Sequence, residues 1–429
     1  MKVLVNIDGI ISFETFSPQD FRLLRLETYK FGLISLSMFL EILFAILLGV
    51  LAGCFTGLIP GIHTNLVAVF LVSLSSFFLD FVSVVHISVF IVSMSVTHSF
   101  VASIPSIFLG APESAFVLNV LPGHKMLLEG EGLNAVKFTV LGSLLGLVIC
   151  FFLFNVFKFV IEFSYDFLSS YIAELLFLVG LFLIFRASSK LRALVIYLSA
   201  GALGYFTLNS RVEEPLFALL SGLFGVSILI YSLFQKTSFP SQKETRFSSK
   251  LPLSSVGLGT LSGFITCILP GLGSSTAAAI SSLFKSESSP RDFLVLTGSI
   301  STVNFFMSLA ALEVIERARN GSIVAVMNLW EAPSIEILVA TCLISGGFAV
   351  FATNFLGKKF SLLITKIDYV KIVKVVISLI VFLTIALSGL KGLFVLLVGS
   401  TIGIYANWRE LPRNLMMSCI MVPVMIFFI

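Results

Sequence analysis

The chain has 429 residues, 57% of them hydrophobic and only 12% charged, with a mean hydropathy of +1.07. A soluble fold cannot hide that much apolar surface, so lipid must be the solvent for most of the chain, which has room for roughly a dozen membrane segments of about 20 residues. A formal net charge of +4, spread over loops with no basic stripe and no long soluble segment, excludes a nucleic-acid interface and reads as an orientation signal.

The first 30 residues hold no long apolar core and no small-residue cleavage site, so they do not read as a cleavable leader. Instead FSPQDFRLLRLETYKF predicts a short interfacial amphipathic helix within an N-terminal segment, 1–33. Apolar runs follow at 34–59, 62–79, 81–109, 136–161, 165–185, 192–208 and 214–234, making a first membrane repeat over 34–234. A polar linker, 235–252, carries Lys236, Lys243, Arg246 and Lys250. A second set of runs falls at 253–269, 274–284, 292–315, 332–356, 371–389, 391–406 and 414–429, a second repeat over 253–429. The two sets match one for one, which is the mark of an internal duplication.

Lys and Arg in short loops mark the cytoplasmic side. Arg186, Lys190 and Arg192 form one such loop, and the linker forms another. Lys358, Lys359, Lys366 and Lys371 form a third, and Arg409 and Arg413 a fourth. Simple zigzag crossing through these loops gives each repeat an odd number of crossings, so the second repeat is inverted relative to the first. The expected fold is an all-α polytopic membrane protein, an inverted structural repeat with two broken or re-entrant helices. The run 274–284 is about 16 Å long as a helix and cannot span a hydrocarbon core of about 30 Å. It and 62–79 read as return arms of re-entrant hairpins, with full crossing as the alternative.

Two segments 210 residues apart carry the same pattern. Leu51–Asn65 reads LAGCFTGLIPGIHTN and Leu261–Ser275 reads LSGFITCILPGLGSS. In each, a glycine (Gly53, Gly263) precedes a Pro-Gly pair (Pro60-Gly61, Pro270-Gly271) by seven residues. Proline removes a backbone donor and glycine admits the turn, so a helix ends inside an apolar run and a new one starts. The first N–H groups of the new helix have no partner within it and carry roughly +0.5 charge. In lipid they need one, and a carboxylate or phosphate suits them. Gly61, His63, Thr64 and Asn65 in the first copy, and Gly271, Gly273, Ser274, Ser275 and Thr276 in the second, are the candidate substrate-binding residues. Gly53, Gly57, Pro60, Gly263 and Pro270 make the breaks, with Cys267 standing where the first copy has Gly57. Carbonyls freed by the breaks could hold Na⁺. The bland alternative is a kinked, hydroxyl-capped packed helix. Paired interruptions at matched spacing favour the site.

Other polar residues in apolar runs are weighed the same way. Asn304, in the middle of 292–315, either bonds a neighbouring helix or joins the site. His86 and His98 read as packing histidines, whereas His63, beside the break, could bind an anion or carry a proton. Glu41 and Glu336 sit near segment ends, where snorkelling explains them, whereas Glu174 reads as deeper and could carry a proton or cation. The five cysteines form no paired spacing and the four histidines no metal motif, so no metal site and no cofactor is expected beyond a coupling Na⁺ or H⁺. In the loop 110–132, Glu113, His124 and Lys125 are candidate gate residues, or part of a plain connection with a Pro-Gly turn.

On these motifs the chain resembles the TctA-type permease of tripartite tricarboxylate transporters, in its short, archaeal-like branch. The resemblance rests on the two glycine–Pro-Gly elements with their IHTN and LGSS continuations, on GAPESAFVLNVLPGHKMLLEGE at Gly110–Glu131, and on RNGSIVAV at Arg319–Val326. It covers 50–330 in motifs and the remainder in hydropathy. It implies a multi-pass permease in the cell membrane for a small organic anion, a di- or tricarboxylate, driven by a Na⁺ or H⁺ gradient. It also implies partnership with a small membrane subunit and an extracytoplasmic binding protein, as members often have, although a shorter relative could act without them. No Arg or Lys lies in either broken segment, so a triply charged substrate would rest on dipoles and hydroxyls. The rival is a translocase of a lipid-linked polyprenyl phosphate, since helix starts hold phosphate as readily as carboxylate. An intramembrane enzyme has no nucleophile motif to recommend it.

Overall fold

The computed structural model describes the chain outside positions 1, 6–10, 15–17, 60–63, 74, 110–119, 214, 234–239, 244–251, 269–273, 282–288, 317–319, 331–332, 367 and 429. Met1–Ala45 and Ile46–Ile429 form two compact units. In the first, strands β1 (Lys2–Val5) and β2 (Ile11–Glu14) pair antiparallel, Lys2 opposite Glu14. Helix α1 (Pro18–Leu58) then begins. The helix expected within 1–33 therefore starts only at Pro18. The residues before it, rich in Val, Ile and Phe, suit a strand, and proline suits a helix's first turn.

The second unit is helical apart from short turns and the described part of the linker. Before the linker come α2 (Thr64–Ser73), α3 (Ser75–Phe78), α4 (Val84–Val101), α5 (Ser103–Phe108), α6 (Val120–Leu128), α7 (Gly132–Phe152), α8 (Phe154–Ser170), α9 (Ile172–Arg186) and α10 (Lys190–Leu208). Then α11 (Pro215–Leu220) and α12 (Ser227–Leu233) flank a π-helical turn, Ser221–Val226. After the linker come α13 (Leu253–Ile268), α14 (Ser274–Ser281), α15 (Pro290–Ile315), α16 (Gly321–Leu329), α17 (Ile335–Ile364) and α18 (Tyr369–Trp408), with a 3₁₀ turn at Arg413–Met417 leading into α19 (Ser418–Phe428).

Among the described residues, seven helices are long and apolar enough to cross a membrane: Met38–Leu58, Val84–Phe108, Gly132–Phe152, Lys190–Leu208, Pro290–Ile315, Ile335–Leu363 and Val373–Trp408. Shorter apolar helices cover Pro215–Tyr231, Leu253–Ile268 and Arg413–Phe428. Large apolar side chains stand fully outward, Phe152, Phe163, Phe351 and Phe427 among them. In water such a surface would aggregate, and in lipid it is ordinary. The protein is an all-α, multi-pass membrane protein.

Several boundaries differ from the hydropathy runs. The run 136–161 is cut after Phe152, and α8 carries Lys158, Glu162 and Asp166 through what reads as apolar sequence. One face of α8 meets the helices after the linker: Phe157 stacks on Phe264 at 4.3 Å, Phe154 meets Phe306 edge-on, and Lys158 pairs with Glu313. Phe159 and Phe163 point outward. Glu174 is exposed and lies in the first turn of α9, which follows α8 after a break of one residue. The described part of the linker is pinned. Gln242 accepts from the Gly132 amide at 2.9 Å and donates to the Leu127 carbonyl at 3.0 Å, and the Lys243 amide donates to Gly130. The division expected between the runs 371–389 and 391–406 appears as a kink at Gly389, whose φ of 64° suits glycine.

Helices before the linker pack chiefly on helices after it. α7 lies along α15, so closely that a Cβ on Gly142 would fall 2.0 Å from the Val295 carbonyl oxygen and one on Gly298 2.1 Å from that of Thr139. α17 lies along α4 in the corresponding way. α10 packs on α19, with Gly204 against the Cys419 carbonyl, while α18 packs on the π-helical turn, with Gly403 against the Leu223 carbonyl. Small residues that let backbones approach are the usual adhesive between helices in lipid, where burial of apolar surface supplies little drive.

Candidate functional site

Two glycine stripes organise the site. On α1, a Cβ at Gly49 would lie 2.6 Å from the Phe90 carbonyl oxygen, and one at Gly53 2.5 Å from that of Met94. On α13, a Cβ at Gly259 would lie 2.8 Å from the Leu296 carbonyl oxygen, and one at Gly263 2.9 Å from that of Ile300. Glycines are offset by 210 residues and their partners by 206. The same offsets relate two hydrogen bonds that fix the register: Ser93 Oγ donates to the Ile46 carbonyl at 2.7 Å, and Ser299 Oγ to that of Val256 at 3.3 Å. α1 thus sits on α4 as α13 sits on α15.

One turn further along, both pairs carry a polar relay. Thr56 Oγ1 donates to the Gly53 carbonyl at 3.3 Å and lies 3.1 Å from His98 Nδ1. Thr266 Oγ1 donates to the Gly263 carbonyl at 2.8 Å and accepts from Asn304 Nδ2 at 2.8 Å. A hydroxyl has one proton to give. Asn304 therefore donates from its amide, whereas the direction of the bond between His98 Nδ1 and the Thr56 hydroxyl follows the imidazole tautomer. Thr56, His98 and Thr266 are buried and Asn304 is half-buried. Asn304, expected at the site or against a neighbouring helix, makes the latter contact. Sequence reasoning dismissed His98 and passed over Thr56 and Thr266. The signal that finds them is the offset of 206 between the two helices that follow the breaks, which is visible only once the glycine contacts are aligned.

α1 ends at Leu58 and α2 begins at Thr64. α13 ends at Ile268 and α14 begins at Ser274. Five residues separate the helices in each case. Thr64, buried, and Asn65 open α2, while Ser274, half-buried, Ser275 and Thr276 open α14. Pro60, Gly61, His63, Pro270, Gly271 and Gly273 lie outside the described residues, as does Glu113. Gly53, Gly57 and Gly263 lie inside α1 and α13 as packing glycines, and a Cβ at Gly57 would meet Val101 at 2.9 Å. α2 and α14, about 15 and 12 Å long, are too short to cross the hydrocarbon core. α2 packs on α4 and α16, α14 packs on α13, α15 and the Arg413–Met417 turn, and α4 touches α15. His124 and Lys125 lie on α6. Lys125 is exposed, while His124 is half-buried with Nδ1 donating to the Ile107 carbonyl at 3.4 Å. Burial holds the His124 imidazole below the ordinary histidine range, the nearby Arg413 charge pushes the same way, and the Ile107 carbonyl opposes them. Among the described residues no three His, Cys, Asp or Glu gather as a metal site would require.

Comparison with known proteins adds the decisive observation. The chain matches the tripartite tricarboxylate transporter TctA family over residues 43–418. It belongs to the TctA family. The match runs well past 330, where the sequence motifs stop, and takes in almost the whole helical unit. The chain is also 30% identical over 311 residues to an uncharacterized protein of Methanocaldococcus jannaschii, covering 70% of this chain and 77% of that one. No solved structure matches. As a TctA protein, the chain is a component of a tricarboxylate transporter, embedded in the membrane by many helices.

Proposed function

We propose that this TctA protein is a secondary-active permease for a di- or tricarboxylate, coupled to Na⁺ or H⁺, and that its halves are inverted repeats presenting two helix starts to one anion. The observation that carries the proposal is the paired interruption: helices end at Leu58 and Ile268 and restart at Thr64 and Ser274, on supports that repeat contact for contact. Each helix start contributes roughly +0.5 charge and a set of free N–H groups. Two starts therefore offer about one positive charge against the two or three of the substrate, and the shortfall calls for a cation travelling with it. Gly61, His63, Thr64 and Asn65 in one half, and Gly271, Gly273, Ser274, Ser275 and Thr276 in the other, line the site in this reading. In the same reading α6, with His124 and Lys125, serves as the gate. A small membrane subunit and an extracytoplasmic binding protein would complete a tripartite assembly.

The test is transport by the purified full chain in liposomes, with labelled succinate and citrate on one arm and a labelled polyprenyl phosphate on the other. Carboxylate accumulation under an imposed ion gradient is expected. Flipping of the phosphate lipid with no carboxylate movement would replace this reading by that of a lipid-phosphate translocase.

A further inference from the structure

Neither broken segment holds a cation, but the turn before α19 brings one to the second of them. Helix α18 ends in a tight reversal. The Leu411 amide donates to the Ala406 carbonyl at 3.0 Å and the Glu410 amide to that of Asn407 at 3.1 Å, and Glu410 takes a φ of 52°, which glycine usually supplies at such ends. The chain folds back through Pro412, and Arg413 Nε donates to Oδ1 of the buried Asn407 at 3.0 Å. That bond uses one of the five N–H groups of a guanidinium. Among the described residues no other acceptor and no carboxylate engages the rest. A cation that only marks the cytoplasmic side needs none of this. Arg409, four residues earlier, is exposed and lies over the Trp408 and Tyr405 rings, as an interfacial anchor does. Nor does the turn itself demand a cation. The first repeat also has an arginine and then a proline here, Arg211 and Pro215, but it continues with Leu216 where the second has Arg413.

The surroundings point to a ligand. The Arg413–Met417 turn packs on α14, and its Leu415 and Met416 share one buried cluster with Ala277 and Ala278, which lie about one turn beyond Ser274. On its other side the Arg413 charge reaches His124 on α6 and the Tyr231 phenol on α12. The half-buried guanidinium thus stands between the return arm of the second interruption and the helix that carries His124. Withdrawing a cation from water without an anionic partner is costly, and an arriving carboxylate supplies that partner. We infer that Arg413 is a substrate-binding residue, whose terminal nitrogens take one carboxylate group of the di- or tricarboxylate beside α14. A guanidinium fork holds a carboxylate through two parallel bonds, which a lysine ammonium cannot do. It adds one fixed positive charge to the roughly one that the two helix starts offer.

The inference rests on the permease reading, and the experiment separates the two. The purified full chain is treated in detergent with phenylglyoxal, which modifies arginine, with and without citrate, and labelling is read by peptide mass spectrometry. Citrate should protect Arg413 and leave Arg409 reactive. In proteoliposomes, R413Q should need about 10- to 100-fold more citrate or succinate for half-maximal uptake, the worth of a hydrogen bond to a charged group. R413K should fall between R413Q and wild type, and R409Q should match wild type. All three variants should melt near the wild-type temperature. Equal protection of both arginines, an Arg413 that stays unreactive with or without citrate, or an R413Q protein with wild-type half-saturation would overturn the inference. Should R413Q not fold, labelling of the wild type decides alone. Absence of carboxylate uptake by wild type under any ion gradient would instead remove the permease reading itself.

Discussion

Gly53→Val and Gly263→Val should each destabilise the protein and abolish transport. The first methyl-bearing carbon at position 53 would lie 2.5 Å from the Met94 carbonyl oxygen, and at 263 it would lie 2.7 Å from Val303 and 2.9 Å from the Ile300 carbonyl oxygen. Backbone oxygen cannot turn aside as a flexible side chain can, so the helices must separate. Overpacking of this kind costs about 1–3 kcal/mol, and more where backbone must shift. Separation would also break the relays one turn away, since Thr56 and Thr266 hold the carbonyls of these same glycines. Melting temperature in detergent and carboxylate uptake should fall together. Gly257→Ala and Gly347→Ala are the controls, because nothing lies within 4 Å of a Cβ at either position. Both sit inside helices, where alanine gains about 0.5–1 kcal/mol over glycine, so both variants should melt at or above the wild-type temperature and transport normally.

Gly61→Val and Gly271→Val should behave differently: transport is lost while membrane insertion and melting stay near wild type. Each glycine follows a proline in the sequence, five residues before the hydroxyl cluster is complete in the second copy and four before Asn65 in the first. On the proposed reading, a branched side chain there would crowd the approach of the anion to the new helix start. The packing stripes at Gly49, Gly53, Gly259 and Gly263 are untouched. The measurement is uptake per correctly inserted molecule, beside a melting curve. Normal uptake in both variants would remove the helix starts from the site. Loss of insertion would mean that the Pro-Gly pairs serve assembly.

Much of this molecule is legible in one dimension, for identifiable reasons. Hydropathy finds the spans because lipid demands apolar length, and the kink at Gly389 is marked by a glycine between two runs. Glycines spaced by four and a duplicated Pro-Gly element reveal the paired supports. Contacts between the halves leave no such mark. Nothing in the sequence says that α7 lies along α15 or α17 along α4, and His98 looks like any packing histidine until Thr56 is seen beside it. The boundary at α8 is not legible because an apolar run hides a charged, two-faced helix. The N-terminal strands are two four-residue segments, too short to show a periodicity beside the basic, leucine-rich helix that follows them.

The proposed convergence of two helix starts on one anion can be tested directly by distance. Thr64→Cys and Ser274→Cys, spin-labelled in a protein whose half-buried Cys54 is replaced and whose other four cysteines are buried, report the separation of the two starts. A single short distance, well inside the hydrocarbon thickness of about 30 Å and shifting when citrate is added, is the predicted result. A separation equal to or beyond that thickness, unchanged by any carboxylate, would contradict a shared site.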